Sequence, residues 1–245
     1  MDRNDLVRRL SQKHWHEQYV FSPAEYERRR RKAAFHYRKL LPPNREIHVL
    51  DVGCSGGFFL RFLQAEGFAH IRGVDTDADA VALCRQHVTP NAEVADAFEY
   101  LTGHPNRFDL ISCHHVIEHF TPEQSLLLVR HIFDAVSPGG KVLVSVPNGM
   151  SPWAGYHTFD DLTHDHLYTS GSLRETLEIA GFSRVEVYPE GPVPYDVPTT
   201  IRYGLWKARE ALLKFTFMLD VGIGRAKHCQ IEVSAGLIAT GYKDS

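Results

Sequence analysis

The sequence predicts an α/β protein in which helices cover both faces of a mostly parallel sheet. Short β-branched apolar runs alternate with helical patterns of about ten residues, as in proteins built around a parallel sheet. A glycine-rich turn directly follows the first apolar run. The composition, 43% hydrophobic and 23% charged, is that of a globular chain, and no run approaches the roughly 18 apolar residues of a membrane span.

The chain is expected to begin with an N-terminal helical cap, residues 1–45. Within it, residues 22–41 have a helical pattern that Ser22 and Glu25 open as a capping box. The basic run Arg28–Lys32 lies in this helix and predicts a solvated helix face. Contact of the run with phosphates or with anionic lipid is the alternative.

Strands and helices alternate through residues 46–245, which predicts one α/β domain. The predicted strands, short and rich in β-branched or apolar residues, are residues 47–52, 71–75, 92–95, 108–113, 141–146, 184–188 and 231–242. The predicted helices, which show apolar residues at helical spacing or an N-terminal cap, are residues 58–66, 77–87, 122–136 and 172–180. Gly67 and the turn 137–140 end two of these helices.

A helical insert at about 192–228 separates the last two predicted strands. Its central part predicts an amphipathic helix with an apolar face made of Ile201, Leu205, Ala208, Leu212, Phe215 and Leu219. Three interpretations stay open for this helix: a lid or packing element over a substrate pocket, a homodimer interface, or an amphipathic helix on a membrane surface.

Charge and cysteine content limit the classes of protein. The net charge of −3 at pH 7 does not favour a general nucleic-acid-binding protein. The four cysteines lie far apart and form no Cys-x-x-Cys pair, so neither a disulfide framework nor a cysteine-ligated zinc site is predicted. Because no apolar segment follows the charged first residues, the sequence predicts a cytoplasmic protein.

A cofactor site is predicted at the ends of the first three strands. The turn 51–57 has the pattern Asp-x-Gly-x-Ser-x-Gly, and its small residues let a ligand approach the backbone closely. Asp51 is placed to accept a hydrogen bond from an amine, Asp75 from two ribose hydroxyls and Asp96 from an adenine amine. Since the dinucleotide pattern G-x-G-x-x-G and a phosphate-binding loop are both absent, these carboxylates predict a nucleoside pocket without a phosphate site.

At these positions the sequence resembles the class I S-adenosylmethionine-dependent methyltransferases. The resemblance rests on five ordered blocks, residues 49–57, 73–75, 95–97, 108–111 and 137–141. It implies a Rossmann-like sheet of seven strands with the last strand antiparallel, and S-adenosyl-L-methionine as the cofactor. The expected cofactor-binding residues are Asp51, Gly53, Cys54, Ser55, Gly57, Asp75, Thr76, Asp96, Ala97, Cys113 and His114. Ser55 departs from the family, which usually has glycine there.

The acceptor of the methyl group is expected beyond the fourth and fifth strands, where histidines cluster. A hydroxyl acceptor benefits from a general base, and histidine is the natural base near neutral pH. His164 and His166 lie in a loop rich in His, Asp and aromatic residues, and His115 follows the fourth strand. These three histidines are the candidate catalytic residues.

The pattern His115-x-x-Glu118-His119 offers an alternative in which a metal assists the reaction. H-x-x-E-H on a helix is a zinc signature. The segment also resembles ubiquinone-biosynthesis O-methyltransferases and small-RNA 3′-terminal methyltransferases, in which two Glu and a His bind a divalent cation. Because His115 replaces the first Glu, a divalent metal is not expected, and Glu118 and His119 stay its candidate ligands.

The loop around residues 164–173 and the amphipathic helix resemble bacterial O-methyltransferases of polysaccharide and other glycan pathways. The sequence therefore predicts an S-adenosylmethionine-dependent O-methyltransferase acting on a hydroxyl of a sugar, glycan or lipid-linked saccharide precursor. Two alternatives remain: metal-assisted methylation of a quinone-type phenol or an RNA terminus, and a non-catalytic S-adenosylmethionine-binding partner protein. A small molecule or glycan is the expected acceptor, nucleic acid is not an expected partner, and a homodimer and a peripheral membrane contact stay open.

Overall fold

A seven-stranded sheet forms the centre of the computed structural model, which describes residues 22–159, 161–222 and 230–245. The strands are β1 (His48–Val52), β2 (His70–Asp75), β3 (Ala92–Val94), β4 (Phe108–His114), β5 (Val136–Pro147), β6 (Ser183–Glu190) and β7 (Gly236–Tyr242). Their order across the sheet is β3-β2-β1-β4-β5-β7-β6. All neighbours pair in parallel except β7, which is antiparallel to both β5 and β6. The predicted fold class is confirmed.

Helices cover both faces of this sheet. They are α1 (Pro23–Tyr37), α2 (Phe58–Ala65), α3 (Ala78–His87), α4 (Ala97–Thr102), α5 (Pro122–Ala135), α6 (Ala154–Phe159), α7 (Ser170–Ala180) and α8 (Val197–Val221). One buried apolar cluster joins α4, α5 and α7 to the sheet, and a second joins α1, α2 and α3 to it. The alternation of strands and helices thus produces two apolar cores, one on each face.

Local capping signals place the start of several helices correctly. The side chain of Ser22 accepts a hydrogen bond from the backbone of Glu25 at the start of α1. Thr121 opens α5 and Thr169 opens α7, each in a capping box with the third residue of its helix. The sequence did not predict α4 and α6, because six residues are too few to show a helical period.

Two strand boundaries differ from the prediction. β5 begins at Val136 and runs through the turn 137–140, so it is longer than predicted. β7 begins at Gly236 rather than at residue 231. The amide of the fully buried Asn148 donates hydrogen bonds of 2.8 Å to the carbonyls of Glu232 and Ser234, which holds this stretch outside the sheet.

The N-terminal helix α1 is part of the core, since Tyr37 at its end is 6% exposed and belongs to the second apolar cluster. Arg28 and Arg29 form ion pairs with Glu25 within the helix. Arg30 and Arg31 pair in the same way with the next glutamate, Glu27. Two carboxylates of the helix thus pair with four of the five cations, so they neutralise the basic run only in part.

Parts of three predictions lie outside the described residues. They are residues 1–21 of the predicted cap, residues 223–229 of the insert, and Cys229. The three cysteines in the described part of the chain are free and buried. No helix in the described ranges is both long and apolar enough to cross a membrane.

Candidate active site

The turn after β1 requires glycine at two positions. Gly53 has φ +72°, and a Cβ atom there would come within 2.3 Å of Cγ2 of Val116. Gly57 has φ +80°, and a Cβ atom there would come within 2.6 Å of the sulfur of Cys84. Both the backbone conformation and the available space therefore exclude a larger side chain. The turn brings bare backbone to the strand-end edge of the sheet, where ligands bind in open α/β sheets.

Asp75 connects this turn to the end of β2. One oxygen of its carboxylate accepts a hydrogen bond of 2.9 Å from the backbone of Ser55, and the other accepts one of 2.9 Å from the backbone of Asp77. Burial raises the pKa of the Asp75 carboxyl, although these N–H groups oppose the shift. Ser55 has φ +48°, a left-handed conformation that explains why the family usually has glycine there.

Asp51 lies deeper in the same edge and is 2% exposed. Its carboxylate accepts a hydrogen bond of 2.7 Å from the hydroxyl of Ser112. Burial raises the pKa of Asp51 to about 7, and the nearby negative charge of Asp75 adds to the shift. A cationic ligand beside Asp51 would favour its ionised form, so this carboxyl is suited to an amine.

Asp96 and two cysteines occupy less direct positions. Asp96 is exposed, and one oxygen of its carboxylate caps α4 by accepting from the backbone of Phe98 and Glu99. The side chain of Asp96 that caps α4 is thus the same side chain that is predicted to contact the adenine. Cys54 and Cys113 are 3% and 0% exposed within the apolar cores, so a cofactor could reach them only through their backbone groups.

His114, at the end of β4, is a partly buried neutral imidazole. Its ring lies 4.1 Å from the ring of Phe59 and 5.0 Å from that of Tyr37, measured between centroids. Burial lowers the pKa of His114 to about 3. Its Nδ1 is 2.9 Å from the hydroxyl of Ser145, whereas Nε2 is buried without a hydrogen-bond partner. Such an atom indicates a missing polar contact at this position.

Helix α1 crosses this edge of the sheet and is attached at both ends. The hydroxyl of Tyr26 donates a hydrogen bond of 2.7 Å to the carbonyl of Gly56 in the first turn. At the other end, Lys32 forms an ion pair of 2.7 Å with Glu190 at the end of β6. Burial would raise the pKa of Glu190, but the charges of Lys32, His115 and His36 and the contact with Lys32 together lower this pKa to about 2.

A second group of side chains lies beyond β4. Glu118, His119 and His164 each offer one potential ligand atom, and these three atoms lie within 4.8 Å of one another. Among the described residues, this is the group that could hold a metal ion. Glu118 is 0% exposed. One of its oxygens is 3.2 Å from Nδ1 of His115, and the other is buried without a hydrogen-bond partner.

Hydrogen bonds fix the tautomer of His119. The hydroxyl of Thr163 donates to Asp161 at 2.6 Å, so its oxygen is left to accept from Nδ1 of His119 at 2.8 Å. The proton of His119 therefore lies on Nδ1, and Nε2 keeps the lone pair that a metal ligand needs. A carboxylate that orients a histidine through an intermediate group is typical of metal sites.

The backbone of the loop after α6 is tied to this group. The N–H groups of Asp165 and His166 donate to the carbonyl of Glu118 at 2.9 and 3.4 Å. The ring of His166 is turned away from the cluster, since its Nδ1 donates to the carbonyl of Phe120 at 3.0 Å. Of the two predicted loop histidines, the structure brings only His164 to the cluster.

His115 faces solvent at the same place. Its side chain is 52% exposed, and its backbone has φ +54°, which is unusual for a residue other than glycine. Burial opposes the charged form of His115, but contact with Glu118 outweighs burial and raises the pKa of the imidazole. Non-glycine residues in strained conformations concentrate at functional sites.

Comparison with known families decides the class of protein. A family model described as a methyltransferase domain matches residues 26–187, which is well over half of the chain. The chain belongs to the methyltransferase-domain family. The family resemblance seen in the sequence is confirmed at this level.

Curated relatives of this methyltransferase-domain protein match a part of it. The ubiquinone biosynthesis O-methyltransferase of Aromatoleum aromaticum is 32% identical over 105 residues, covering 41% of this chain and 44% of the relative. The enzyme of the same name from Coxiella burnetii is 33% identical over 106 residues, with 41% and 44% covered. The chain thus spans less than half the length of these relatives. They give the resemblance to glycan-pathway enzymes no support.

Solved structures share the methyltransferase fold. An S-adenosylmethionine-dependent methyltransferase from Archaeoglobus fulgidus superposes with a TM-score of 0.63 at 22% identity, covering 87% of this chain and 94% of that one. Phosphoethanolamine N-methyltransferase 2 of Haemonchus contortus, solved with S-adenosyl-L-methionine, gives a TM-score of 0.61 at 20% identity over 87% and 52%. At these identities the likeness confirms the class I fold.

Three further side chains at this edge of the sheet were not predicted from the sequence. Thr163 precedes His164 directly, and its place in an Asp-x-Thr-His pattern is a signal for a metal-orienting group. Ser145 and Glu190 gave a weaker signal, because each is an isolated polar residue near the end of its strand and belongs to no motif. The predicted domain boundaries and the predicted roles of the site residues stay predictions.

Proposed function

We propose that the protein is an S-adenosylmethionine-dependent O-methyltransferase that acts on a phenolic hydroxyl with the help of a divalent cation. The observation that carries the acceptor class is the cluster of Glu118, His119 and His164. Its potential ligand atoms lie within 4.8 Å of one another, and a buried oxygen of Glu118 has no hydrogen-bond partner. A carboxylate with two imidazoles suits a divalent cation that assists hydroxyl chemistry.

The cofactor half of the proposal rests on the first three strand ends. Gly53 and Gly57 leave the backbone of the turn open to a ligand. Asp51 is suited to the amine of S-adenosylmethionine, and Asp75 lies where a ribose would meet the turn. The Haemonchus contortus neighbour, which shares the fold, was solved with this compound.

The reaction moves a methyl group from the sulfonium of the cofactor to the acceptor oxygen. The carbon–sulfur bond breaks as the carbon–oxygen bond forms, which leaves S-adenosylhomocysteine and a methyl ether. The cofactor is already activated, so the protein mainly orients the two reactants and removes the hydroxyl proton. We assign proton removal to His115, which lies beside Glu118 and is half exposed.

A divalent cation in the cluster would act as a Lewis acid that lowers the pKa of a phenolic hydroxyl and orients it. Glu118, His119 and His164 would hold the cation. Asp161 and Thr163 keep His119 in the tautomer that binds metal. The names of the curated relatives, ubiquinone biosynthesis O-methyltransferases, support a phenolic rather than a sugar acceptor.

Methyl transfer to two acceptor panels tests the proposal. The protein is incubated with S-adenosylmethionine and either catechols or monosaccharides, with magnesium or with excess chelator, and methylated product is measured by mass spectrometry. We expect methylation of a catechol that chelator abolishes and magnesium restores. His119→Ala should lower turnover at least about 100-fold, because even outer-sphere partners of metal ligands are worth about 10–100-fold.

A matched variant separates the site from the fold. His70→Ala removes a half-exposed histidine from the opposite end of β2 and should leave turnover unchanged. Chelator-resistant methylation of a monosaccharide would contradict the phenolic acceptor and favour a sugar. Cofactor binding without transfer to either panel would instead indicate a non-catalytic S-adenosylmethionine-binding protein.

A further inference from the structure

The outer face of α8 is an exposed apolar surface. Six large apolar side chains, between 51% and 74% exposed, lie along it: Val197, Ile201, Leu205, Leu212, Phe215 and Leu219. We call these six residues the outer stripe. Their spacing of three, four or seven residues places them on one side of the helix. Within the described residues this face does not pack against the domain, and its interpretation as a lid or packing element stays a prediction.

The opposite face attaches α8 to the domain. Glu210 is 5% exposed and forms ion pairs with Lys207 at 2.8 Å and Lys214 at 3.0 Å. The ring of Trp206 packs so closely on Gly191 that a Cβ atom there would be 2.7 Å from it. Since these contacts hold the inner face, the outer stripe is presented away from the domain.

Charges along α8 distinguish among possible partners. Glu210 is the only carboxylate from residue 197 to residue 219, and it lies on the inner face. Arg202 and Arg209 flank the outer stripe on one side, whereas Lys207 and Lys214 lie toward the other. Because Lys207 and Lys214 are paired with Glu210, the arginines are the cations that, beside the apolar stripe, complement an anionic lipid surface. A second copy of α8 would bring the same cations and no outward carboxylate between those residues.

We propose that α8 lies on the surface of an anionic lipid membrane with the outer stripe inserted among the lipids. A helix of 25 residues is about 37 Å long, enough for a lengthwise contact with many lipids. No described helix is apolar enough to cross a membrane, which agrees with a helix that lies in the interface. This proposal does not depend on the proposed acceptor or metal.

The docked helix would hold the strand-end edge close to the membrane. Gly191, which contacts Trp206, directly follows Glu190 at the end of β6. The carbonyl of Gly191 also accepts a hydrogen bond of 3.0 Å from His36 in α1. Through these contacts α8 is attached next to the edge that carries the cofactor and acceptor residues.

Vesicle flotation tests the membrane proposal. The full chain is mixed with vesicles of phosphatidylcholine alone or with 30% phosphatidylglycerol, and the floated fraction is measured. We expect flotation with the anionic vesicles and at least a fivefold smaller fraction with the neutral ones. Leu212→Glu, at 61% exposure, should lower binding to anionic vesicles at least fivefold. Arg202→Gln with Arg209→Gln should lower it as well.

Matched controls and one further measurement settle the outcome. Ile179→Glu changes a residue of equal exposure, 61%, on α7 and should float as the unmodified protein does. Arg107→Gln is the control for charge. Thermal unfolding confirms that each variant is folded. Absence of flotation, or equal losses in Leu212→Glu and Ile179→Glu, overturns the proposal. So does a dimer, seen by light scattering without vesicle binding, that Leu212→Glu dissociates.

Discussion

The two halves of the strand-end edge are specified in different ways. At the proposed cofactor half, the carboxylates of Asp75 and Asp96 accept hydrogen bonds from backbone groups two residues further along the chain, and Asp75 also accepts one from Ser55, 20 residues before it. At the acceptor half, His119 binds Thr163, 44 residues away. A short motif is therefore enough to indicate the cofactor half. The proposed acceptor half forms only when the loop after α6 packs against the turn after β4, so a short motif does not indicate it.

Replacing Asp75 with alanine gives the largest expected effect and tests the local half. The variant loses a charged acceptor for both the turn and the ribose. Two hydrogen bonds to a charged group, at about 1.5–3 kcal/mol each, correspond to at least a 100-fold loss of affinity for S-adenosylhomocysteine. Titration calorimetry measures this loss.

Asp77→Ala is the matched control for that experiment. Asp77 caps α3 with its side chain, and this cap is worth about 1 kcal/mol of stability. We expect a lower midpoint of thermal unfolding with unchanged cofactor affinity. Equal affinities of Asp75→Ala and the unmodified protein would show that Asp75 does not contact the ribose.

Asp51→Asn tests whether folding raises the pKa of Asp51 in the cofactor half. Because the pKa of Asp51 rises from 3.8 to about 7 on folding, the folded state holds the proton more tightly between these values. The free energy of unfolding should therefore fall as pH rises from 4 to 7, by up to about 4 kcal/mol, and then level off. Asparagine resembles the protonated form and should remove this fall.

Urea unfolding of both proteins from pH 4 to pH 8 measures the difference. Ser112→Ala sharpens the result, since it removes a hydrogen bond that favours the charged carboxylate and should extend the fall to higher pH. Parallel stability curves for the unmodified protein and Asp51→Asn would exclude a raised pKa.

A pair of loop variants tests the long-range half. His164→Ala removes a proposed metal ligand and should lower magnesium-dependent turnover about 100-fold without changing cofactor affinity. His166→Ala removes a side chain that binds the carbonyl of Phe120, so its main effect should be on stability, by about 1 kcal/mol. Steady-state kinetics and thermal unfolding separate the two. A greater loss of turnover in His166→Ala would return the general-base role to that residue.

Ser55→Gly gives the smallest expected effect. Glycine relieves the left-handed conformation, which costs other residues about 1–2 kcal/mol, but it also removes the hydrogen bond from the backbone of Gly56 to the hydroxyl. Its greater freedom in the unfolded chain offsets part of the gain. We expect a stability change below about 1 kcal/mol and unchanged cofactor affinity. Ser55→Val places a β-branched residue at positive φ and should lower both the stability and the cofactor affinity.

These contrasts explain how far the sequence could lead. The alternation of strands and helices and the turn 51–57 follow from local patterns of glycine, caps and apolar runs, and they were predicted. The antiparallel last strand was expected only from the family resemblance, and the strand order was not predicted. The proximity of His164 to Glu118 could not be predicted, because it depends on backbone hydrogen bonds from Asp165 and His166 to the carbonyl of Glu118. The exposure of the outer stripe was also hidden, since an apolar helix face has the same sequence pattern in a core and at a surface.

Asn148 separates the register of β7 from the length of the segment that links β6 to β7. Its amide pins the chain at Glu232 and Ser234 just before β7, while Glu190 is fixed at the end of β6. Both anchors belong to the sheet side, so most of the 41 intervening positions can change in length and chemistry while the strands keep their register. Gly191 and Gln230 are exceptions, because they hydrogen-bond to His36 and to Arg174. In this way the link can take up a different helix without changes to the strand-end edge.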